Sequence, residues 1–153
     1  MEDKKVRISL RLVIIRNGKL LATYNSESKI YYYLGGRLEF GETIVEGAKR
    51  EIREELGNDV EFSFNKILYI RDFIVPDKST HNVELFILGE INKLEEVEHF
   101  IDPEHGGRNW STWLDIDNLP ANLYPKLLTK NIQKDYKNNF VNSGEYVGTM
   151  YSD

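Results

Sequence analysis

A chain of 153 residues is long enough to bury one hydrophobic core and too short for two comfortable ones, so a single domain over residues 1–153 is expected. With 41% hydrophobic and 29% charged residues the composition is that of a globular protein, and a formal net charge of −5 argues against a long nucleic-acid interface, which depends on clustered lysine and arginine. The absence of cysteine excludes disulfides, thiolate catalysis and cysteine-ligated zinc.

Met1 to Lys5 lacks the apolar run of a signal peptide and no segment reaches the length of a membrane span, so a cytoplasmic protein without a membrane partner is expected. Val6 to Ile15 is rich in β-branched residues, Arg16-Asn17-Gly18-Lys19 is a hairpin turn, and Leu20 to Tyr24 returns, which predicts a β-hairpin. Asn25 to Lys29 reads as a polar loop. Ile30 to Leu34 reads as a short aromatic strand leading into a glycine loop at Gly35-Gly36.

The next stretch organises the chain. Thr43, with Glu46 three residues on, forms a capping box, and Gly57 suits the residue that closes a helix, so a helix is predicted between them. At roughly 100° per residue Glu51, Glu54 and Glu55 share an arc of about 100°, with Val45, Ala48, Ile52 and Leu56 on the adjoining apolar face and Glu55 nearest the buried border. Three carboxylates crowded at the edge of a core repel one another, and partial burial penalises their charge. Arg50, four residues before Glu54, screens part of it; a hard divalent cation with oxygen ligands, Mg²⁺ or Mn²⁺, is the natural complement. The plainer reading is a solvated acidic helix with i,i+4 pairs.

Gly36, Glu42, Arg50, Glu51, Ile52, Glu54, Glu55 and Gly57 stand at the spacing G-x5-E-x7-R-E-U-x-E-E-x-G-U, in which U is a bulky aliphatic, and this stretch resembles the signature of the Nudix hydrolase family. Two positions depart from the family pattern: Asn58 holds the final aliphatic position, and Leu34 stands where many members have proline.

After the helix, Val60 to Phe64 alternates, Ile67 to Val75 continues as a long strand to a turn at Pro76 to Ser79, and Asn82 to Ile91 returns as its partner. Arg71, Asp72 and Glu84 interrupt these apolar strands, so one face should look into a cleft or solvent. His81 reads as a surface residue at a strand entry. Asn92 to Arg108 reads as a long loop, and Trp110 to Leu114 as a last strong strand before a turn at Asp115 to Pro120. Pro125 to Tyr136 predicts a second helix with Leu127, Leu128 and Ile132 on one side, covering the sheet face opposite the first helix. Tyr146 to Tyr151 has three readings: an edge strand, a homodimer contact or a frayed tail.

The element order gives an α+β fold, and the resemblance implies the same: a Nudix-like α/β/α sandwich with a mixed curved sheet between the motif helix and a C-terminal helix. It further implies hydrolysis of a diphosphate bond in a nucleoside diphosphate linked to another moiety, such as ADP-ribose or another nucleotide sugar, or a nucleoside triphosphate. Glu51, Glu54, Glu55 and the Gly36 carbonyl would hold Mg²⁺ or Mn²⁺, with a loop carboxylate added; Glu104 is the first choice by chain order, followed by Glu84 and Glu98. Glu54 or Glu51 would be the base, and Arg50 would orient the cluster with Glu42 as its partner. Arg37 is placed to reach a substrate phosphate, and Tyr31, Tyr33, Trp110 and Trp113 are candidates for stacking on a small-molecule nucleotide. The alternative is a noncatalytic nucleotide sensor or protein-interaction domain on the same fold.

Overall fold

The computed structural model describes residues 4–93, 101 and 107–149. Strands β1 (Arg7–Val13), β2 (Ile15–Arg16) and β3 (Lys19–Asn25) come first, followed by β4 (Ile30–Tyr32), β5 (Leu34–Arg37) and helix α1 (Ile44–Leu56). Then come β6 (Phe62–Ile74), β7 (His81–Ile91), β8 (Asn109–Asp115), β9 (Leu123–Tyr124), helix α2 (Thr129–Lys137) and β10 (Glu145–Thr149). Among the described residues no helix is long and apolar enough to cross a membrane.

The α+β sandwich is present, but its strands divide into two sheets where one was expected. The first runs β10-β6-β7-β1-β5; the second runs β2-β3-β4-β9, with β8 added on β3. Both are mixed, because β7 lies parallel to β1, β10 to β6 and β9 to β4, while the other pairings are antiparallel. Asn17 and Gly18 adopt positive φ, 52° and 72°, as a two-residue hairpin turn requires. The hairpin extends only to β2 and β3, because the chain changes sheet at Ile14. The two strands expected at 60–75 are one long β6 with two register shifts against β7. Within the described part of the C-terminal segment the chain forms an edge strand, β10, paired with β6.

Two apolar cores lie on opposite faces of the first sheet. Leu10, Leu12 and Ile87 pack against Ala48, Ile52 and Leu56 of α1; Val13, Tyr69 and Phe86 pack against Leu128 and Ile132 around α2. The second helix therefore covers the face expected of it. Leu127, predicted on its buried side, is exposed because residues 126–128 form a tight 3-10 turn, out of phase with the helix that follows. Val45 is likewise exposed in the first turn of α1.

Gly35 and Gly36 do not form a loop: they lie within β5, an edge strand paired to β1 with Gly35 opposite Arg11 and Gly36 opposite Leu10. Gly35 has φ +130°, and a Cβ there would stand 2.0 Å from the Leu10 carbonyl oxygen. Glycine lets this edge strand close onto β1. Gly35→Ala is expected to destabilise the fold by about 3 kcal/mol in urea unfolding. A variant as stable as the parent would contradict this reading of the strand.

Candidate active site

The start of α1 is fixed by its capping box: the Glu46 N–H donates to Thr43 Oγ1 at 3.1 Å, and the Thr43 N–H donates to Glu46 Oε2 at 2.7 Å. The helix then carries Arg50, Glu51, Glu54 and Glu55 along the edge strand β5. Arg50 is the centre of the arrangement. It donates through Nε and Nη2 to the two oxygens of Glu42 (3.0 and 2.6 Å), through Nη1 to Glu51 (2.9 Å) and Glu54 (3.2 Å), and through Nη2 to the Arg37 carbonyl (2.9 Å). One guanidinium thus joins the loop before the helix, the helix and the edge strand.

The burial order of the acids differs from the helical-wheel expectation. Glu51, not Glu55, is the buried carboxylate, at 8% exposure. Its place depends on Gly36, since a Cβ on that residue would lie 2.4 Å from Glu51 Oε1. Glu55 accepts from the Gly35 N–H with both oxygens, at 3.3 and 3.2 Å. Glu54 is the more open acid and is held through Oε2 by Arg50.

These contacts set the charges. The hydrogen bond from Arg50 holds the Glu42 carboxyl below its ordinary 4.5, helped by the Glu39 N–H. The same contact, followed by that to Glu51, pushes Arg50 further above the usual guanidinium range. Three carboxylates, Glu42, Glu51 and Glu54, hydrogen-bond this one cation and a fourth, the exposed Glu39, stands 3.9 Å from it, which leaves a deficit of positive charge. Oxygen donors with that deficit suit a hard divalent ion. Among the described residues no three acidic or histidine side chains converge as a preassembled metal cluster, because Glu42, Glu51 and Glu54 turn toward Arg50 and Glu55 toward Gly35.

Other expected residues fall in different places. Glu84 is not with the α1 carboxylates: it is buried on the opposite face of the first sheet, 2.5 Å from Arg71. Glu98 and Glu104 lie outside the described residues. Arg37 is exposed on β5, on the face opposite Gly36. Tyr31 leans on Tyr24 (centroids 4.7 Å apart), which in turn meets Trp110 (4.9 Å), and Trp113 packs against the first core. Tyr33 is a core residue, its ring edge-on to Phe86 and its hydroxyl pushed to a higher pKa by burial. The tyrosine that lines open space with a partnered hydroxyl is Tyr32, which sequence reasoning passed over. The β pleat alternates sides, and that alternation at 31–33 is the signal that could have found it.

Tyr32 belongs to a cavity of about 160 Å³ between the two sheets, lined also by Arg11, Ile30, Tyr33, Arg71, Glu84, Tyr124 and Pro125. Arg11 is the cross-strand neighbour of Gly35, so this cavity opens on the far side of β5 from Glu51. A larger hollow of about 500 Å³ at the β6–β7 turn contains none of these residues.

Comparisons with known proteins bear on this site. The NUDIX domain profile matches residues 7–134. A Mus musculus protein named oxidized purine nucleoside triphosphate hydrolase is 29% identical over 92 residues, 60% of this chain and 53% of that one, so the match spans about half the length of this curated relative. The crystal structure of a MutT NUDIX hydrolase from Burkholderia pseudomallei superposes with a TM-score of 0.68 at 22% identity, covering 85% of this chain and 97% of that one. An ADP-ribose pyrophosphatase from Streptococcus suis 89-1591 superposes at 0.65 with 16% identity, covering 94% and 98%. At these identities the two structures show a common fold.

The lowered pKa of Glu42 makes its pairing with Arg50 dependent on pH. A carboxyl depressed in the folded state contributes stability above its unfolded value, near 4.5, and that contribution is lost as pH falls through the folded value. Urea unfolding between about pH 6 and pH 3 should therefore show a shallower loss of stability for Glu42→Gln than for the parent. Parallel profiles would show that Glu42 is not ion-paired in solution.

Proposed function

The chain belongs to the Nudix hydrolase family, and on that premise we propose that it hydrolyses a diphosphate bond in a nucleoside diphosphate joined to a further group, with a divalent cation as cofactor. The single observation that carries this reading is the Arg50 hub, which holds Glu42, Glu51 and Glu54 in fixed relation beside Gly36 with too little positive charge for the acids gathered there.

Glu51, Glu55 and Oε2 of Glu54, with the Gly36 carbonyl, are the donors that would hold Mg²⁺ or Mn²⁺. When bound, such an ion screens the pyrophosphate oxygens and makes the attacking water more acidic. The proton acceptor is Glu54, whose Oε1 is not engaged by Arg50. A P–O bond forms from the water oxygen, the bridging P–O bond breaks, and its electron pair leaves on the departing phosphate. Arg50 aims Glu54 through its hydrogen bond to Oε2, and Glu42 fixes Arg50 in turn. Arg37, exposed at the edge of β5, is the side chain for a substrate phosphate, and the nucleoside end turns across this edge strand toward the cavity between the sheets. Oxidised purine nucleoside triphosphates and ADP-ribose, the compounds in the relatives' names, both contain the required diphosphate.

The test is a panel of nucleoside triphosphates, nucleotide sugars and ADP-ribose incubated with Mg²⁺ or Mn²⁺, with phosphate, pyrophosphate and nucleoside monophosphate assayed separately. Turnover is expected for the parent, and Glu54→Gln should lower kcat by about 100-fold or more with an unchanged melting temperature. Full activity in Glu54→Gln would remove Glu54 from the chemistry, and nucleotide binding without any turnover would favour a sensor.

A further inference from the structure

The cavity between the sheets holds more charge than an apolar seat for a ring requires. Arg71 is buried and paired: its Nε donates to Glu84 Oε2 at 2.5 Å, and its guanidinium carbon stands 5.0 Å from the centre of the Phe73 ring. That pair is neutral on its own. Arg11 then brings a second guanidinium to the same carboxylate, with Nε 3.6 Å from Glu84 Oε1, beyond hydrogen-bonding distance, and its side chain retains 27% exposure. A positive charge that Arg71 has already made unnecessary for Glu84 is thus kept in the middle of β1, where an alternating strand would ordinarily place an apolar residue. Beyond this ion pair the Arg11 side chain makes no hydrogen bond among the described residues, so its guanidinium donors are available to whatever enters.

The wall facing these charges is aromatic and held in place. Asn25 Nδ2 donates to Asn109 Oδ1 at 2.7 Å, and Asn109 Nδ2, on a residue 1% exposed, donates to the Tyr32 hydroxyl at 2.8 Å. Tyr124 forms the neighbouring wall. Rings and a surplus guanidinium lining one cavity fit a planar group that presents hydrogen-bond acceptors on its edge.

We propose that Arg11 is a specificity-determining residue that selects nucleobases presenting a carbonyl edge, guanine and uracil, over those presenting an amino group at the same place, adenine and cytosine. Guanine offers the O6 and N7 acceptors that a guanidinium reads with two bonds, and uracil offers O4; adenine and cytosine turn an N–H₂ donor toward it. The paired Arg71 and Glu84 act as positioning residues that fix the floor from which Arg11 projects. This inference rests on the hydrolase reading for the location of the phosphates, since Arg11 lies directly across from Gly35 on β1.

The experiment has two arms. In the first, kcat/KM is measured for GTP, UTP, ATP and CTP with Mg²⁺, using the full chain and Arg11→Gln. The parent should favour GTP and UTP by on the order of tenfold or more, mainly through KM, and the ratio should fall toward one in the variant. A flat parent panel, or a variant loss shared equally by all four, would overturn the proposal. The second arm needs no turnover: calorimetry of GMP, UMP, AMP, CMP and ribose 5-phosphate against the parent chain. Tighter binding of GMP and UMP supports the proposal even where no nucleotide is hydrolysed, an outcome that would sink only the hydrolase reading. Equal affinity for all four monophosphates and ribose 5-phosphate would mean that Arg11 answers to phosphate, and the assignment would fall.

Discussion

The structure depends on what one arginine holds. Arg50 joins the Glu42 loop, the helix carboxylates Glu51 and Glu54, and the Arg37 carbonyl of the edge strand, in a layer where its own side chain is 23% exposed. Ion pairs on an open surface contribute little, but here several charge-assisted hydrogen bonds share one donor and one geometry. Removing Arg50 would leave three acids facing one another at the border of a core, which is more costly than losing the individual bonds. The same arrangement gives α1 a fixed distance from β5, and the proposed chemistry needs that distance.

The edge strand β5 separates two environments. On one side Gly36 lies against the buried Glu51; on the other, Arg11, the cross-strand neighbour of Gly35, lines the space between the sheets. The lack of a Cβ at two consecutive positions serves both sides, since Gly35 permits contact with β1 and Gly36 leaves room for a carboxylate. Charges on the two sides differ in sign. An excess of carboxylate suits a cation with a pyrophosphate bridging it, whereas an excess of guanidinium suits an acceptor-bearing group at the other end of the same molecule.

Local chemistry made parts of this legible in the sequence. The Asn17-Gly18 turn, the Thr43 capping box and the helix over 44–56 all depend on residues close together in the chain, where spacing fixes geometry, whereas the Glu42 to Arg50 partnership was legible only through the family resemblance. What depended on remote partners was harder to read. Wheel geometry put Glu55 nearest the core because it could not register that Gly36, on another element, opens a place for Glu51. A double glycine reads as a loop unless the strand it must approach is known. Tyr31, Tyr32 and Tyr33 are alike in composition, and only the pleat and the second sheet stack Tyr31 on Tyr24, tie the Tyr32 hydroxyl to Asn109 at the cavity and bury Tyr33 against Phe86. The division of the strands into two sheets follows from the change of sheet at Ile14, which no turn residue marks.

The central claim is that the acids around Arg50 remain short of positive charge and take up a divalent ion. Calorimetric titration of MnCl₂ into the full chain, beside Glu51→Gln and Glu54→Gln with melting temperatures recorded, tests it most directly. Saturable binding by the parent, weakened by on the order of tenfold or more in each folded variant, is the predicted result. No saturable binding, or equal affinity in all three proteins, would contradict the account.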